Sequence, residues 1–382
     1  MNIVSLTKCE DYDYEKVKTA IEESIVHLGG LEKYIGKGQK VLLKINLLMK
    51  KKPEEATTTH PVFVKALGNI LKEYGCEVLI GDSPGGPFTE RALKGVYKVC
   101  GIEKISEESG FILNYNTNEY EDHHPDGLLL KKINAIEVLK EVDVVISVSK
   151  LKTHGMALFT GAVKNLFGII PGLQKVEYHF KMPDIKDFSN MLVDICLYAK
   201  PVLSFMDGIV GMEGEGPSAG NPRKIGAVIA SNSPYYLDVV ASQLIGIYPP
   251  DIPTVKRCIE RGIVNETLDD YSLEGVSIQE CSVEDFKYPN ITSINFFKGR
   301  VPTFLENYLL GLCQPKPIFQ HEDCIGCRDC EVSCPPKAIT MEEKRPYVDL
   351  QKCIRCFCCH ELCPKKAVEI KRPKIIGRLM RW

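Results

Sequence analysis

Two runs of cysteine carry the most specific chemistry in the chain. They read Cys324-x2-Cys327-x2-Cys330-x3-Cys334-Pro335 and, 29 residues later, Cys353-x2-Cys356-x2-Cys359-x3-Cys363-Pro364. In such a run three closely spaced thiolates hold three corners of one cubane, and the fourth cysteine reaches across to the other. The spacing therefore predicts two 4Fe-4S clusters, one on Cys324, Cys327, Cys330 and Cys363, the other on Cys353, Cys356, Cys359 and Cys334. Pro335 and Pro364 end each ligand loop, because proline has a fixed φ and no N–H. The repeat continues in Ala338-Ile339 and Ala367-Val368, small and apolar residues expected to pack beside the clusters. Zinc sites take their ligands in separated pairs, which two matching runs of four do not resemble. Cys358 is read as a spare thiol near the second cluster, since using it in place of Cys359 would break the repeat.

A second group of reactive side chains is spread over the first 220 residues. Lys44 with Asn46, Asp82, Lys152 with His154, and Asp207 each follow a different apolar run that reads as a strand. Ligands of open parallel sheets bind at the carboxyl ends of the strands, so these groups are expected to share a cleft. Taken singly, any of them could instead cap a helix or lie solvated. Lys44, Lys152, Lys164, His60, His154 and His179 would make the cleft basic and suited to a carboxylate or phosphate. Asp82, Asp207 and Glu213 could bind a divalent ion or carry protons. His154 is the expected proton donor, Lys152 the anion anchor and Asp207 a third catalytic group. Lys44, Asn46, His60, Asp82, Lys164, Asn165, His179 and Glu213 are expected to hold substrate. A further metal or flavin in the cleft is compatible with these residues but not specified by them.

The elements that must position these groups alternate strand and helix. Strands are expected at 3–6, 40–45, 77–80, 128–133, 142–149, 202–206 and 225–230. Helices are expected at 14–28, from a Thr59 cap to Tyr74, from Thr89 to Val99, at 184–198 and at 234–245. Residues 101–127 read as irregular and polar, with Asp122-His123-His124-Pro125-Asp126 as a solvated turn rather than a metal site. Gly211 to Gly220 reads as a flexible loop. The alternation predicts an α/β fold, a mostly parallel sheet with helices on both faces, spanning 1–313. After a helix at 304–313, Gln314 to Pro317 reads as a proline linker. A small α+β ferredoxin-like domain follows at 318–371 and a basic tail at 372–382. That tail could dock an acidic redox partner or pack back through Ile375, Leu379 and Trp382.

Composition fits an ordinary globular protein of 382 residues, 44% hydrophobic and 26% charged. A net charge of −2 gives no reason to expect nucleic acid. No run of about 18 apolar residues is present, so no membrane span is expected, and the N-terminus lacks a secretory pattern. Sixteen cysteines in that setting point to a reducing, anaerobic cytoplasm rather than to disulfides. No serine elbow, Walker loop or strand-following G-x-G-x-x-G occurs.

Several stretches carry a family likeness. They are Lys44-Ile45-Asn46, Thr58-Thr59-His60-Pro61, Gly81-Asp82-Ser83-Pro84-Gly85, Lys150-Leu151-Lys152-Thr153-His154, Gly161 to Gly168, and Asp207-Gly208 through Gly214-Glu215-Gly216-Pro217. Together they resemble the domain-of-unknown-function 362 family, whose members often carry a two-cluster ferredoxin module. The family's strand end usually reads Lys-Pro-Asn, and Ile45 stands in the middle position here. The resemblance implies a fold and a cleft without supplying a reaction.

The expected function is that of an iron–sulfur oxidoreductase, in which two 4Fe-4S clusters pass electrons from a redox partner protein to a small anionic substrate in the cleft. The alternatives are an electron carrier whose large domain docks partners, and a binding or maturation protein with structural clusters.

Overall fold

The computed structural model describes residues 1–289 and 315–371. In chain order the strands are β1 (Asn2–Lys8), β2 (Lys40–Ile45), β3 (Glu77–Gly81), β4 (Ile112–Leu113), β5 (Glu119–His123), β6 (Lys132–Ile136), β7 (Val144–His154), β8 (Leu158–Thr160), β9 (Leu203–Glu213), β10 (Asn221–Ser231) and β11 (Tyr271–Gly275). All but β5 and β6 join one sheet in the order β11-β1-β10-β9-β7-β2-β3-β4, with β8 on β7. β2 runs parallel to β3 and β7, β7 to β9, β3 to β4 and β1 to β11. β10 is antiparallel to β1 and β9, and β8 to β7. The fold is thus α/β around a mostly parallel sheet.

Alternation along β2 explains how the sheet is covered on both sides. Val41, Leu43 and Ile45 join one core, while Leu42 joins the other. Lys44 shares the Leu42 side, which the Ala162–Asn165 turn covers. On the opposite side the helix Pro61–Tyr74 buries Phe63, Leu67 and Leu71 as one stripe. Each such side chain contributes about 1.5–3 kcal/mol on leaving water. Gly75, at φ 109°, stops that helix in the left-handed conformation.

Four details depart from the sequence reading. The helix cap is His60, whose Nδ1 accepts from Val62 N, and not Thr59. The Thr59 hydroxyl instead accepts from Asn46 N and donates to Val148 O, tying two strand ends together. Residues 101–127 are not irregular: they hold the helix Ile102–Ser109, β4 and β5, and β5 pairs antiparallel with β6. β7 and β9 also outrun their expected ends. β7 continues to His154 because β8 folds back on it, and β9 continues to Glu213 because Asn221 pairs with Glu213.

The small C-terminal part is built from β12 (Lys316–Phe319) paired with β15 (Val368–Lys371), and the hairpin of β13 (Ile339–Glu342) and β14 (Arg345–Val348). Its core is Cys330, Ile339, Cys359 and Val368, and Ala338 and Ala367 are buried beside it. The second ligand loop rests on the large sheet. Ser218 Oγ donates to Glu361 O (2.6 Å), Lys366 Nζ to Gly220 O (2.9 Å) and Lys51 Nζ to Pro364 O (3.2 Å). Among the described residues no helix is long and apolar enough to cross a membrane. The expected 304–313 helix, the start of the proline linker and the 372–382 tail lie outside the described residues.

Candidate active site

The carboxyl ends of β2 and β3 deliver a buried ion pair. Lys44 Nζ lies 2.8 Å from Asp82 Oδ1 and donates to Ile45 O at 2.7 Å and Asn165 Oδ1 at 3.3 Å. Burial lowers the Lys44 pKa against the pull of Asp82. Asp82 Oδ2 accepts from Leu47 N. Asn165 donates to Lys44 O and Ser147 Oγ, and Asn46 donates to Asn165 Oδ1. Gly168 closes over the pair so tightly that a Cβ there would lie 1.9 Å from Asp82 Oδ1, so no larger residue fits.

In front of this cluster is a pocket of about 640 Å³, including the space at its mouth. Asn46, Asp82, Ser83, Lys164, Asn165, Phe167, Lys175 and His179 line it from the large sheet. Cys358, Glu361 and Leu362 line it from the second ligand loop. His179 is buried, stacked on Phe188 with ring centroids 4.3 Å apart, and its Nδ1 has no hydrogen-bond partner. Burial pushes its pKa down to about 4, so the ring is neutral at pH 7. Lys175 Nζ donates to Ser83 O, Ser83 Oγ and Ile170 O. Burial brings its pKa down to about 7. Burial also lowers Lys164, which Glu361 and Cys358 oppose.

Glu361 is the acidic counterweight. Its Oε1 lies 2.9 Å from His154 Nε2. His154 Nδ1 accepts from Met156 N and Ala157 N, both at 3.1 Å, so the ring proton sits on Nε2 and faces Glu361. Burial would raise the Glu361 carboxyl, but His154, Lys164 and His179 together hold it well below the usual carboxylate range.

The expected cleft residues therefore divide. Asn46, Asp82, Lys164, Asn165 and His179 line the pocket, and Lys44 stands directly behind Asp82. Lys152 is not at the surface of the pocket: its Nζ donates to Asn46 Oδ1 and Thr57 O, both at 2.7 Å. Burial and Lys164 bring its pKa down to about 7. His154 is committed to Glu361. Glu213 Oε2 accepts from Lys287 N, away from the pocket. Asp207 and His60 belong to a separate buried network. Tyr12 OH donates to Asp207 Oδ1 (2.8 Å), Lys150 Nζ pairs with Asp207 Oδ2 (2.8 Å), and His60 N donates to the same oxygen (3.0 Å). The His60 ring stacks on Tyr12 at 3.5 Å. Glu361, Lys175, Cys358 and Leu362 were not anticipated as pocket residues. Asp122 and His124 pack instead with Tyr198, whose OH donates to Asp122 Oδ2.

His60 gives a pH test of this network. Burial, ahead of the opposing pull of Asp207, lowers its pKa to about 4, below the 6.5 of an unfolded histidine. The unfolded chain takes up the proton first, so the stability His60 contributes is complete above pH 6.5 and is lost as pH falls toward 4. His60→Asn keeps a capping oxygen and removes the titration. Its urea midpoint should fall less steeply than wild type between pH 6.5 and 4, by up to about one proton's worth of slope.

Each predicted cluster ligand set converges on its own cavity. Cys324, Cys327, Cys330 and Cys363 line one of about 380 Å³, and Cys334, Cys353, Cys356 and Cys359 line one of about 330 Å³. Backbone N–H groups point at the sulfurs: Gly326 N to Cys324, Ala338 N to Cys334 and Ala367 N to Cys363. Four thiols around one cavity with N–H donors to sulfur is a donor set that fits a 4Fe-4S cluster. Cys358 lines both the second of these cavities and the pocket above.

Residues 323–367 match the 4Fe-4S dicluster domain. A thylakoid-associated protein of Synechocystis sp. is 30% identical over 321 residues, 83% of this chain and 98% of that protein. Among solved structures, the lactate racemase apoprotein of Thermoanaerobacterium thermosaccharolyticum is 17% identical with a TM-score of 0.41, over 64% of this chain and 57% of that one. A Thermotoga maritima protein is 17% identical with a TM-score of 0.35, over 60% of this chain and 57% of that one. Residues 41–243 match the domain of unknown function DUF362, and the chain belongs to that family.

Proposed function

We propose that this protein is an iron–sulfur reductase that delivers electrons to a small anionic substrate held between its large sheet and its second ligand loop. The observation that carries this reading is the shared pocket. Lys164, Lys175 and His179 face it from one side, and Cys358 and Glu361 face it from the loop that holds Cys356, Cys359 and Cys363. When bound, the clusters supply electrons one at a time. Lys164 and Lys175 attract and neutralise the anion in a site where burial strengthens their field. His179, neutral and without a partner at Nδ1, orients the substrate by a hydrogen bond. Lys175, whose three donors go to Ser83 O, Ser83 Oγ and Ile170 O, acts on the anion through its field while it fixes the Ser83 side of the pocket. His154 is a positioning residue that fixes Glu361, and Glu361 holds the basic groups in place. A carrier whose large domain only docks partners leaves the pocket and His179 without a role.

The reading is tested by reducing the protein anaerobically and following its reoxidation by a panel of small carboxylates and phosphates. Lys164→Met and His179→Phe should each slow reoxidation by about 10²–10³-fold while leaving the cluster EPR signals intact. Reoxidation at the wild-type rate in both variants would overturn the site.

A further inference from the structure

The two ligand runs repeat in backbone but differ in one side chain that faces a ligand sulfur. Asp329 and Cys358 occupy the same place, two residues after Cys327 and Cys356 and immediately before Cys330 and Cys359. Each opens a short helix, Asp329–Val332 or Cys358–Glu361, behind a left-handed residue, Arg328 at φ 70° or Phe357 at φ 59°. The backbone N–H of each donates to the ligand sulfur two residues before it. Their side chains act differently. The Cys358 thiol is 3% exposed and hydrogen-bonded to Cys356. As a ligand thiolate Cys356 can only accept, so Cys358 is the donor. The Asp329 carboxylate is exposed and hydrogen-bonded to Cys327. Beside a thiolate ligand, which has no proton to share, a carboxylate adds negative charge only.

From this difference we infer that Cys358 and Asp329 set the two predicted clusters at different potentials, the cluster of Cys353, Cys356, Cys359 and Cys334 being the easier to reduce. Reduction adds negative charge that the sulfurs share. A donor aimed at a ligand sulfur stabilises that charge and a neighbouring carboxylate opposes it, and both are levers on a cluster's potential. The backbone donors at these two positions are the same and cancel in the comparison. Elsewhere Gly326 N and Ala367 N serve the first ligand set and Ala338 N the second. That difference of one neutral donor is smaller than the combined effect of a carboxylate on one side and a thiol donor on the other. Glu361 also bears on Cys356, but His154 and Lys164 offset its charge. Burial leaves the Cys358 contribution unscreened, whereas salt weakens that of Asp329. Cys358 lines the pocket together with the buried, unpartnered His179 Nδ1. Under the proposed function, electrons thus collect at the cluster beside the substrate. That consequence rests on the pocket reading, and the potentials do not.

The test is an EPR-monitored dithionite titration of the anaerobic, cluster-loaded protein, with no substrate present. Wild type should show two midpoints. Cys358→Ala should lower the higher one by about tenfold in its reduction equilibrium, ~59 mV for a one-electron couple, and leave the lower in place. Cys358→Ser keeps a donor and should restore most of that loss. Asp329→Asn should raise the lower midpoint by about threefold in the same equilibrium, less at high salt, and leave the higher in place. Iron content and EPR line shape establish that each variant holds both clusters. A single unsplit midpoint in wild type, a Cys358→Ala shift of the lower midpoint, or midpoints unmoved in both Cys358→Ala and Asp329→Asn would overturn the inference. Any of these results leaves the anion pocket standing, and failure of the reoxidation assay leaves the potentials standing.

Discussion

Replacing Asp207 by alanine should cost about 3–5 kcal/mol of folding stability, the range for breaking a buried ion pair by removing one partner. Asp207 and Lys150 are both essentially inaccessible, and Asp207 accepts from Tyr12, Lys150, His60 N and Ile209 N. Removing the carboxylate strands an ammonium that burial already disfavours. It also leaves the Tyr12 hydroxyl and the start of the Pro61–Tyr74 helix without their acceptor. The loss should appear as a lower urea midpoint by far-ultraviolet circular dichroism. Reoxidation per folded molecule should change little, because Asp207 does not line the pocket. A variant of normal stability that no longer turns over would return Asp207 to the catalytic role expected of it from the sequence.

Glu361→Ala should have a smaller cost, concentrated where the cluster-binding part meets the sheet. The carboxylate faces a fully buried His154 whose other nitrogen is already occupied, and Lys164 and His179 lean on the same charge. Losing it leaves the buried His154 ring N–H without its carboxylate and Lys164 without its opposing charge, at about 1.5–3 kcal/mol for a hydrogen bond to a charged group. That corresponds to about one to two orders of magnitude in the equilibrium that keeps the loop seated. Amide hydrogen exchange should accelerate at Cys358 to Leu362 and at Thr153 to Ala157. The EPR signals should persist, since Glu361 is not among the eight predicted ligands. Unchanged exchange in both segments would show that Glu361 does not hold the loop.

The parts of the site that were legible in the sequence are those fixed by local spacing. Cysteine runs bring their own geometry, so the two ligand sets could be paired before any fold was known. Lys44, Asn46 and Asp82 could be placed because a parallel sheet brings its strand ends together. Lys150 and Asp207 follow expected strands but lie opposite each other within the longer β7 and β9. They neutralise each other only because Tyr12, far away in sequence, closes over them, which no local pattern reveals. His154 looks like a proton donor until Met156 N and Ala157 N occupy Nδ1 through the β7–β8 turn. Glu361, Lys175 and Leu362 were not legible because their role exists only once one part of the chain is seated on the other. Residues 211–213 read as loop from their glycine content, yet pairing with β10 makes them strand. Thr59 and His60 were transposed because either can cap, and the choice depends on Thr59 reaching Val148 across the sheet.

The placement of Glu361 and Leu362 between Cys359 and Cys363 bears on how the protein matures. These two residues line the pocket, and the thiols flanking them are predicted ligands to different clusters. A ligand loop takes its shape from the metal it wraps. Iron loading and completion of the binding site are then a single assembly step. On the proposed function, a chain awaiting its iron would present an open, unfinished cleft, and so would hold back from its substrate until it had electrons to give.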